Sequence, residues 1–439
     1  MILRDPVHGL VSFEGDAERV VMALLETREV QRLRRVRQLG LTSLVFPGAE
    51  HSRFAHAIGA AHVMVRLLER IAACDGDLPP EARVTPEAAR DAVAAALVHD
   101  LGHGPFSHLF EEVLPNARHH ESWSHDVVVD PGTDVHRALE SLDPGMATRV
   151  AGLLAGRYEL GYLARAVSGV IDVDRCDYLL RDSHMTGARY GLYDLDWLLR
   201  ALSFDQAPTG EWVLAVEGRK GLPPIEGYFL GRNFMYRQVY HHKATRAAEC
   251  LIRAIFLRVA ELVRDRSSLA SPLTPVPEAL ALAARGETVT LGAYLDLDDA
   301  RMHTCFADWE RSRDPILRDL CERLRARKLP KTVPLAAGPD AAEARREVHR
   351  RTAEIAARNG MRPDLTVFLD ETSDTPYSEP EDDSPGGVWV SIRHAPIRRL
   401  GDVSFLLGEL RNKRIESARL IFPASIRGEV LGAIDEVTG

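Results

Sequence analysis

Cysteine is scarce in this chain: five in 439 residues, at positions 74, 176, 250, 305 and 321, with no paired spacing among them. That pattern excludes a disulfide-stapled secreted domain and a thiolate metal knuckle, and it fits reduced thiols in a cytosol. Long apolar runs are missing as well. None approaches the roughly 20 residues that span a bilayer, and the N-terminus lacks the apolar core of a signal peptide, so no membrane association and a cytoplasmic setting are expected. Basic charge is in deficit, with a net charge of −9. That balance disfavours broad nucleic-acid binding and leaves room only for a local basic pocket. There is no internal repeat. What remains is an ordinary soluble composition, 45% hydrophobic and 27% charged, in a chain too long for one simple core.

Histidine, by contrast, is concentrated. Val98-His99-Asp100-Leu101-Gly102-His103-Gly104-Pro105-Phe106-Ser107-His108 follows the apolar run Ala92-Val93-Ala94-Ala95-Ala96-Leu97. Strong helix formers give way to Gly and Pro, so a buried helix delivers His99 and Asp100 at its C-terminal end and then breaks. A lone His-Asp pair is more often a core histidine beside a cap. The added histidines and glycines reverse that weighting toward a divalent-metal site, since neutral imidazole and carboxylate suit such ions.

Other segments supply partners. Helical spacing is expected over 17–39, its second part carrying Arg28, Arg32, Arg34, Arg35 and Arg37 as a solvated face or an anion site. A helix capped by Ser52 and running to about residue 73 places His56 on the apolar face of Val63, Leu67 and Ile71, with Arg53 one turn earlier. Thr85-Pro86-Glu87 starts the helix that ends in the His-Asp pair. Downstream, His119-His120-Glu121 recurs, with His120 and Glu121 as the favoured pair and His125 peripheral. One long helix over 160–180 is expected to carry Asp172, Asp174 and Asp177. Asp174 shares a face with Tyr178, and a carboxylate buried there needs an ion or a partner. A strand over 211–216, as one arm of a hairpin, precedes a Gly- and Pro-rich stretch at 218–231. A helix then presents Arg232, Tyr236, Tyr240 and Lys243 on one face, suited to a base, a sugar or phosphate. Strands at 365–369, 388–392 and 417–422, with helices around them, close the chain as a small α+β unit.

Taken in order, Asp5-Pro6-Val7-His8-Gly9, Gln31-Arg32-Leu33-Arg34, Gln38-Leu39-Gly40, Phe46-Pro47-Gly48-Ala49, Arg53-Phe54-Ala55-His56, the His99–His108 stretch, Asp172-Val173-Asp174, Asp177-Tyr178 and Tyr240-His241-His242-Lys243 make a specific signature. The chain resembles the HD-domain phosphohydrolases, and within them the deoxynucleoside triphosphate triphosphohydrolases related to the SAM-and-HD-domain protein. The resemblance, over roughly residues 1–260, implies a mainly α fold with an HD-domain helical core over 1–265; the pattern beyond it is read as a helical extension over 266–335 and the small α+β region over 336–439. The resemblance implies a divalent metal (Mn, Mg, Fe, Ni or Zn) held by His56, His99, Asp100 and Asp174. Arg53, His103, His120, Arg175, Tyr178 and Asp182 would surround the triphosphate and sugar. His108 would be the catalytic acid or base, supported by Glu111 and Glu121, with His103 counted in the same catalytic group. Gln38 and Leu39 would lie near base or sugar, and Arg232, Tyr236 and Tyr240 would line the pocket. Glu111, Arg175 and Tyr236 stand where relatives have Asp, Lys and His, and Glu26 replaces an Asp of the relatives' regulatory guanine site. The expected activity is hydrolysis of a deoxynucleoside triphosphate to nucleoside and inorganic triphosphate, by a homo-oligomer. Rival readings are another HD-type phosphohydrolase acting on a monophosphate, a modified nucleotide or an alarmone, and a nucleotide-sensing scaffold without turnover.

Overall fold

A computed structural model describes residues 1–106, 111, 118–265 and 276–438. Most of the chain is helical, as expected, and the helices that matter for the site converge on one of them, Arg53–Cys74. Its His56, Val63, Leu67 and Ile71 are all buried, so the apolar face inferred from spacing is the inward one. The Pro86–Val98 helix packs against it. Its Thr85 hydroxyl accepts from the amide of Ala88, and every residue from Asp91 to Val98 is buried. The third member, Val173–Thr186, lies along the same central helix.

Two expected continuities are broken. The 17–39 segment is a helix Gly15–Leu25, a second short helix Arg28–Arg32 and a 3-10 turn Leu33–Arg35. Thr27 restarts the chain by accepting the Val30 amide. Over 160–180 the structure has Gly161–Val167, a bend, and then Val173–Thr186, rather than one helix. Asp172 caps the later helix by accepting the Arg175 amide at 2.7 Å. Gly169 lies so close to the preceding turn that a Cβ there would stand 2.2 Å from the Arg165 carbonyl oxygen.

The N-terminal hairpin pairs β1 (Ile2–Asp5) with β2 (Gly9–Ser12). Farther on, β3 (Leu202–Gln206) and β4 (Trp212–Glu217) form the expected second hairpin. The Gly- and Pro-rich stretch after it is helical, Gly218–Met235, despite Pro223 and Pro224 inside. A proline costs a helix interior about 3 kcal/mol. Burying Ile225, Tyr228 and Phe229 here returns about 1.5–3 kcal/mol for each side chain, so burial decides the conformation. The following helix is also divided. Tyr236–Tyr240 winds as a π turn, and Lys243–Arg264 starts anew with His242 as its cap.

The Lys243–Arg264 helix buries its apolar face in a second core with Phe306, Trp309, Leu317 and Leu320. Near the C-terminus, β5 (Lys331–Leu335), β6 (Phe368–Asp374) and β9 (Ile415–Phe422) make an antiparallel sheet ordered β5-β9-β6. Helices Ala342–Arg358 and Arg427–Thr438 pack together beside it. The strand expected at 365–369 begins instead at Phe368, after a helical turn Pro363–Thr366. A second departure is topological. Strand β7 (Trp389–Ser391) leaves this unit and pairs in parallel with β4, carrying β8 (Arg398–Arg399) on its outer edge.

The arginine cluster divides by use. Arg32 is fully buried and donates to the carbonyls of Leu297, Leu101 and His103, tying the second core to the loop after the His-Asp pair. Arg34 lies 3.5 Å over the Phe54 ring, and Arg35 pairs with Asp298. Removing the Arg32 guanidinium leaves three carbonyls without their donor, at about 1–3 kcal/mol for an unsatisfied buried group. Arg32→Met is therefore expected to lower the free energy of unfolding by at least about 2 kcal/mol in a denaturant titration.

Candidate metal centre and adjoining pocket

Three ligand atoms meet where the central helices cross. His56 Nε2 is 3.2 Å from His99 Nε2 and 3.0 Å from Asp174 Oδ1, and His99 Nε2 is 3.4 Å from the same oxygen. Among the described residues these three form one of the groups able to hold a metal ion. Asp100 stands beside them, its Oδ1 3.4 Å from His99 Nε2 and its Oδ2, which Arg53 binds, 3.8 Å from His56 Nε2. Two donors about 2.1 Å from one ion and at tetrahedral to octahedral angles lie about 3.0–3.4 Å apart, which is the spacing found.

The hydrogen bonds behind the ligands make the same point. His56 Nδ1 donates to Asp177 at 2.8 Å, and His99 Nδ1 donates to the Ala96 carbonyl at 2.9 Å. Each ring therefore turns a lone pair on Nε2 toward the other. Two lone pairs and a carboxylate face to face repel unless a cation lies between them, so the donor set fits a divalent ion. Without an ion a proton takes that role: burial lowers the pKa of His56, but Asp174 and Asp177 outweigh it and raise it to about 10. Asp100 and Asp177 are held well below the usual carboxylate range. Burial opposes this, and Arg53 and Arg181 respectively prevail over it.

Asp177 is the residue whose role the spacing did not disclose. Besides His56 it accepts from His8 at 2.7 Å and from two nitrogens of Arg181 at 2.8 Å, and Arg181 also grips Asp5. Asp5 in turn accepts the amides of Val7 and His8, so what reads as turn chemistry aims His8 at the centre. Gly59 makes room for this knot, since a Cβ there would stand 1.9 Å from Asp177 Oδ1.

Beyond this His/Asp cluster the cavity opens to about 890 Å³, at the large end of the range for ligand sites. His103 and His120 stack at 3.9 Å, and His120 Nδ1 lies 3.0 Å from Glu111. Burial, with Arg53 close by, holds the His103 pKa well below its ordinary value and keeps it neutral. Glu121 is largely exposed, lies 3.7 Å from His119 and lines the cavity, while His120 takes Glu111 as its partner. His125, expected at the periphery, also lines the cavity, 3.6 Å from Asp126. His108 lies outside the described residues.

Gln38, Leu39, Arg53, Tyr178, Asp182, Tyr236 and Tyr240 all line the cavity, as does Arg175, whose guanidinium reaches back to Asp172 and the Gly169 carbonyl. Asp182 accepts from Tyr240 and from His51, a buried histidine the sequence left without a role. Arg232 does not line the cavity. It stacks on Tyr236 and donates to Asp374.

This geometry, with its helices, is that of an HD domain, and an HD-domain sequence model matches residues 53–181. The chain belongs to the HD-domain family of phosphohydrolases. It is 31% identical over 430 residues to the uncharacterized protein YwfO of Bacillus subtilis, a match covering 97% of this chain and 92% of that protein. Deoxynucleoside triphosphate triphosphohydrolase SAMHD1 of Danio rerio is 30% identical over 306 residues, covering 61% of this chain but 46% of that relative. Among solved structures, a phosphohydrolase from Bacteroides thetaiotaomicron superposes with a TM-score of 0.78 at 25% identity, covering 96% of this chain and 99% of its own.

A carboxylate that orients a metal-binding histidine is worth about 10–100-fold in metal affinity. Asp177→Asn is expected to lose that much in a competitive chelator titration while remaining folded by circular dichroism. Because the proton on His56 must leave when metal binds, affinity in the unsubstituted protein is expected to rise with pH between about 6 and 9.

Proposed function

We propose that this chain hydrolyses deoxynucleoside triphosphates to nucleoside and inorganic triphosphate. The observation that carries the reading is that one cavity joins the His/Asp metal cluster at its floor to cationic Arg53 and Arg175 and to the aromatic pair Tyr236 and Tyr240. That order of chemistry matches a phosphate chain, a sugar and a base. The SAMHD1 relatives support the substrate class, and they share about half their length with this chain. The proposal includes a homo-oligomer in the cytoplasm. The five cysteines are unpaired, and no described helix is long and apolar enough to cross a membrane. Assembly rests on the family likeness, since the apolar face of Lys243–Arg264 is buried within the chain.

When bound, a divalent ion at His56, His99, Asp100 and Asp174 supplies Lewis acidity toward the phosphoryl group and an activated water. The chain's own groups do the rest. Arg53, braced on Asp100, brings a cation to the phosphate oxygens, and Arg175 adds a second from the first turn of Val173–Thr186. His103, kept neutral, can share a hydrogen bond with a phosphate oxygen without adding charge. Water attacks the α-phosphorus, the bond to the 5′ oxygen breaks, and His108 gives that oxygen its proton.

Chromatography of products from each nucleotide, with Mn²⁺ or Mg²⁺, tests the reading. Nucleoside and triphosphate are expected in equal amounts, and both disappear, with bound metal, in the His99→Ala, Asp100→Ala double variant. Release of only orthophosphate or pyrophosphate would leave a general HD phosphohydrolase and discard the triphosphohydrolase. His108→Ala is expected to keep its metal and lose about 10²–10⁴-fold in kcat, the usual worth of a general acid. An unchanged kcat would remove His108 from that role.

A further inference from the structure

The two arginines that bracket the π turn are both held by one strand of the C-terminal region. Arg232, on the last turn of Gly218–Met235, donates to Asp374 at 3.1 Å and to the carbonyls of Thr375 and Pro376 at 3.1 and 3.2 Å. Arg246, on the first turns of Lys243–Arg264, makes two bonds to Asp370 Oδ1 at 3.0 and 2.6 Å. Residues 370 and 374 lie on the same face of β6, because a strand alternates sides at every residue. One strand face thus clamps the chain just before and just after Tyr236–Tyr240.

The clamp reaches the cavity through a chain of edge-to-face ring contacts. The Arg232 guanidinium sits 4.5 Å over the Tyr236 ring, and Tyr236 meets Tyr240 edge-on at 5.0 Å. Tyr240 meets Tyr178 at 6.2 Å, and Tyr178 meets the metal ligand His56 at 6.4 Å. A π turn leaves the helical hydrogen-bond ladder locally irregular, so the direction of its side chains is fixed by neighbours. We propose that Asp374 is a positioning residue of the nucleotide pocket. By holding Arg232 over Tyr236 from the C-terminal region, it sets the orientation of the aromatic wall that receives the nucleoside. Asp370 secures the far side of the same turn through Arg246, which lines the cavity. The C-terminal α+β region thereby becomes part of the pocket's specificity rather than an appendage.

This inference rests on the nucleotide reading above. The test compares Asp374→Asn, Asp374→Glu, Arg232→Ala and the Asp374→Asn, Arg232→Ala double variant in the full chain, with KM and kcat for each of the four deoxynucleoside triphosphates. Asp374→Asn is expected to raise KM about tenfold, the scale of a lost charge-assisted hydrogen bond. The change in kcat is expected to stay below about threefold, and the ratios of KM among the four bases to shift. Asp374→Glu should recover most of the loss. The double variant should equal Arg232→Ala alone, because the carboxylate acts through that arginine. Unchanged KM with only a lower melting temperature, or effects of the two substitutions that add in full, would overturn the proposal. If the unsubstituted protein turns over none of the four, the functional reading fails separately. Equilibrium dialysis of the same nucleotides with Ca²⁺ then reads the clamp, an equal affinity in Asp374→Asn overturning it and a tenfold weaker one sustaining it.

Discussion

Asp177 holds a negative charge out of reach of water, and the ways in which that charge is balanced shape the centre of the molecule. Arg181 supplies the compensating cation, and His8 and His56 supply the remaining donors. An ion that is buried and imperfectly paired costs several kcal/mol, so the groups around it have little freedom to move. The bond from His56 selects the tautomer that leaves Nε2 open toward His99 and Asp174. The same carboxylate reaches the N-terminal hairpin through His8, and through Arg181 it reaches Asp5. Gly59 is the steric counterpart of this charge balance, a missing side chain where the central helix passes over the pair.

A second constraint acts on the loop that follows the His-Asp pair. Helix ends leave carbonyls without partners, and this end is buried. Arg32 takes the carbonyls of Leu101 and His103, Tyr294 takes that of Gly102, and Ser124 takes that of His99. The donors come from the N-terminal segment, the second core and the helix His120–Val129, so three separate parts of the chain meet on a few residues of backbone. Gly102 permits the approach, since a Cβ there would stand 2.0 Å from the His120 carbonyl oxygen. His99 and Asp100 thus sit at a helix end that has been closed from outside.

What was legible beforehand was local. The Arg53–Cys74 and Pro86–Val98 helices announce themselves by apolar period and by cap residues, and the His-Asp pair by its setting. His56 and Asp174 were readable because a polar residue on an apolar face requires a reason. The breaks at Thr27 and Gly169 were not, because apolar spacing continues through both and only a cap bond and a steric approach interrupt the helix. Gly218–Met235 is hidden for the opposite cause: its prolines argue locally against a helix that burial of Tyr228 and Phe229 sustains. His120 and Glu121 stand out together in sequence, and both line the cavity, but the contact His120 makes is not readable there. Glu111 holds that place by a geometry that sequence distance does not encode. Asp374 was invisible for the same reason.

Strand β7 adds to the edge of the core hairpin from far along the chain. During synthesis, then, the HD core emerges with β4 unpaired on that side, and the missing strand follows only after the second core and strands β5 and β6 have been made. A pairing between segments so distant in sequence is slow to form, and an open edge in the meantime invites contact with other chains. Truncation before residue 389 therefore removes more than a terminal domain: it leaves the catalytic half permanently in the state it otherwise passes through while the rest of the chain is being made.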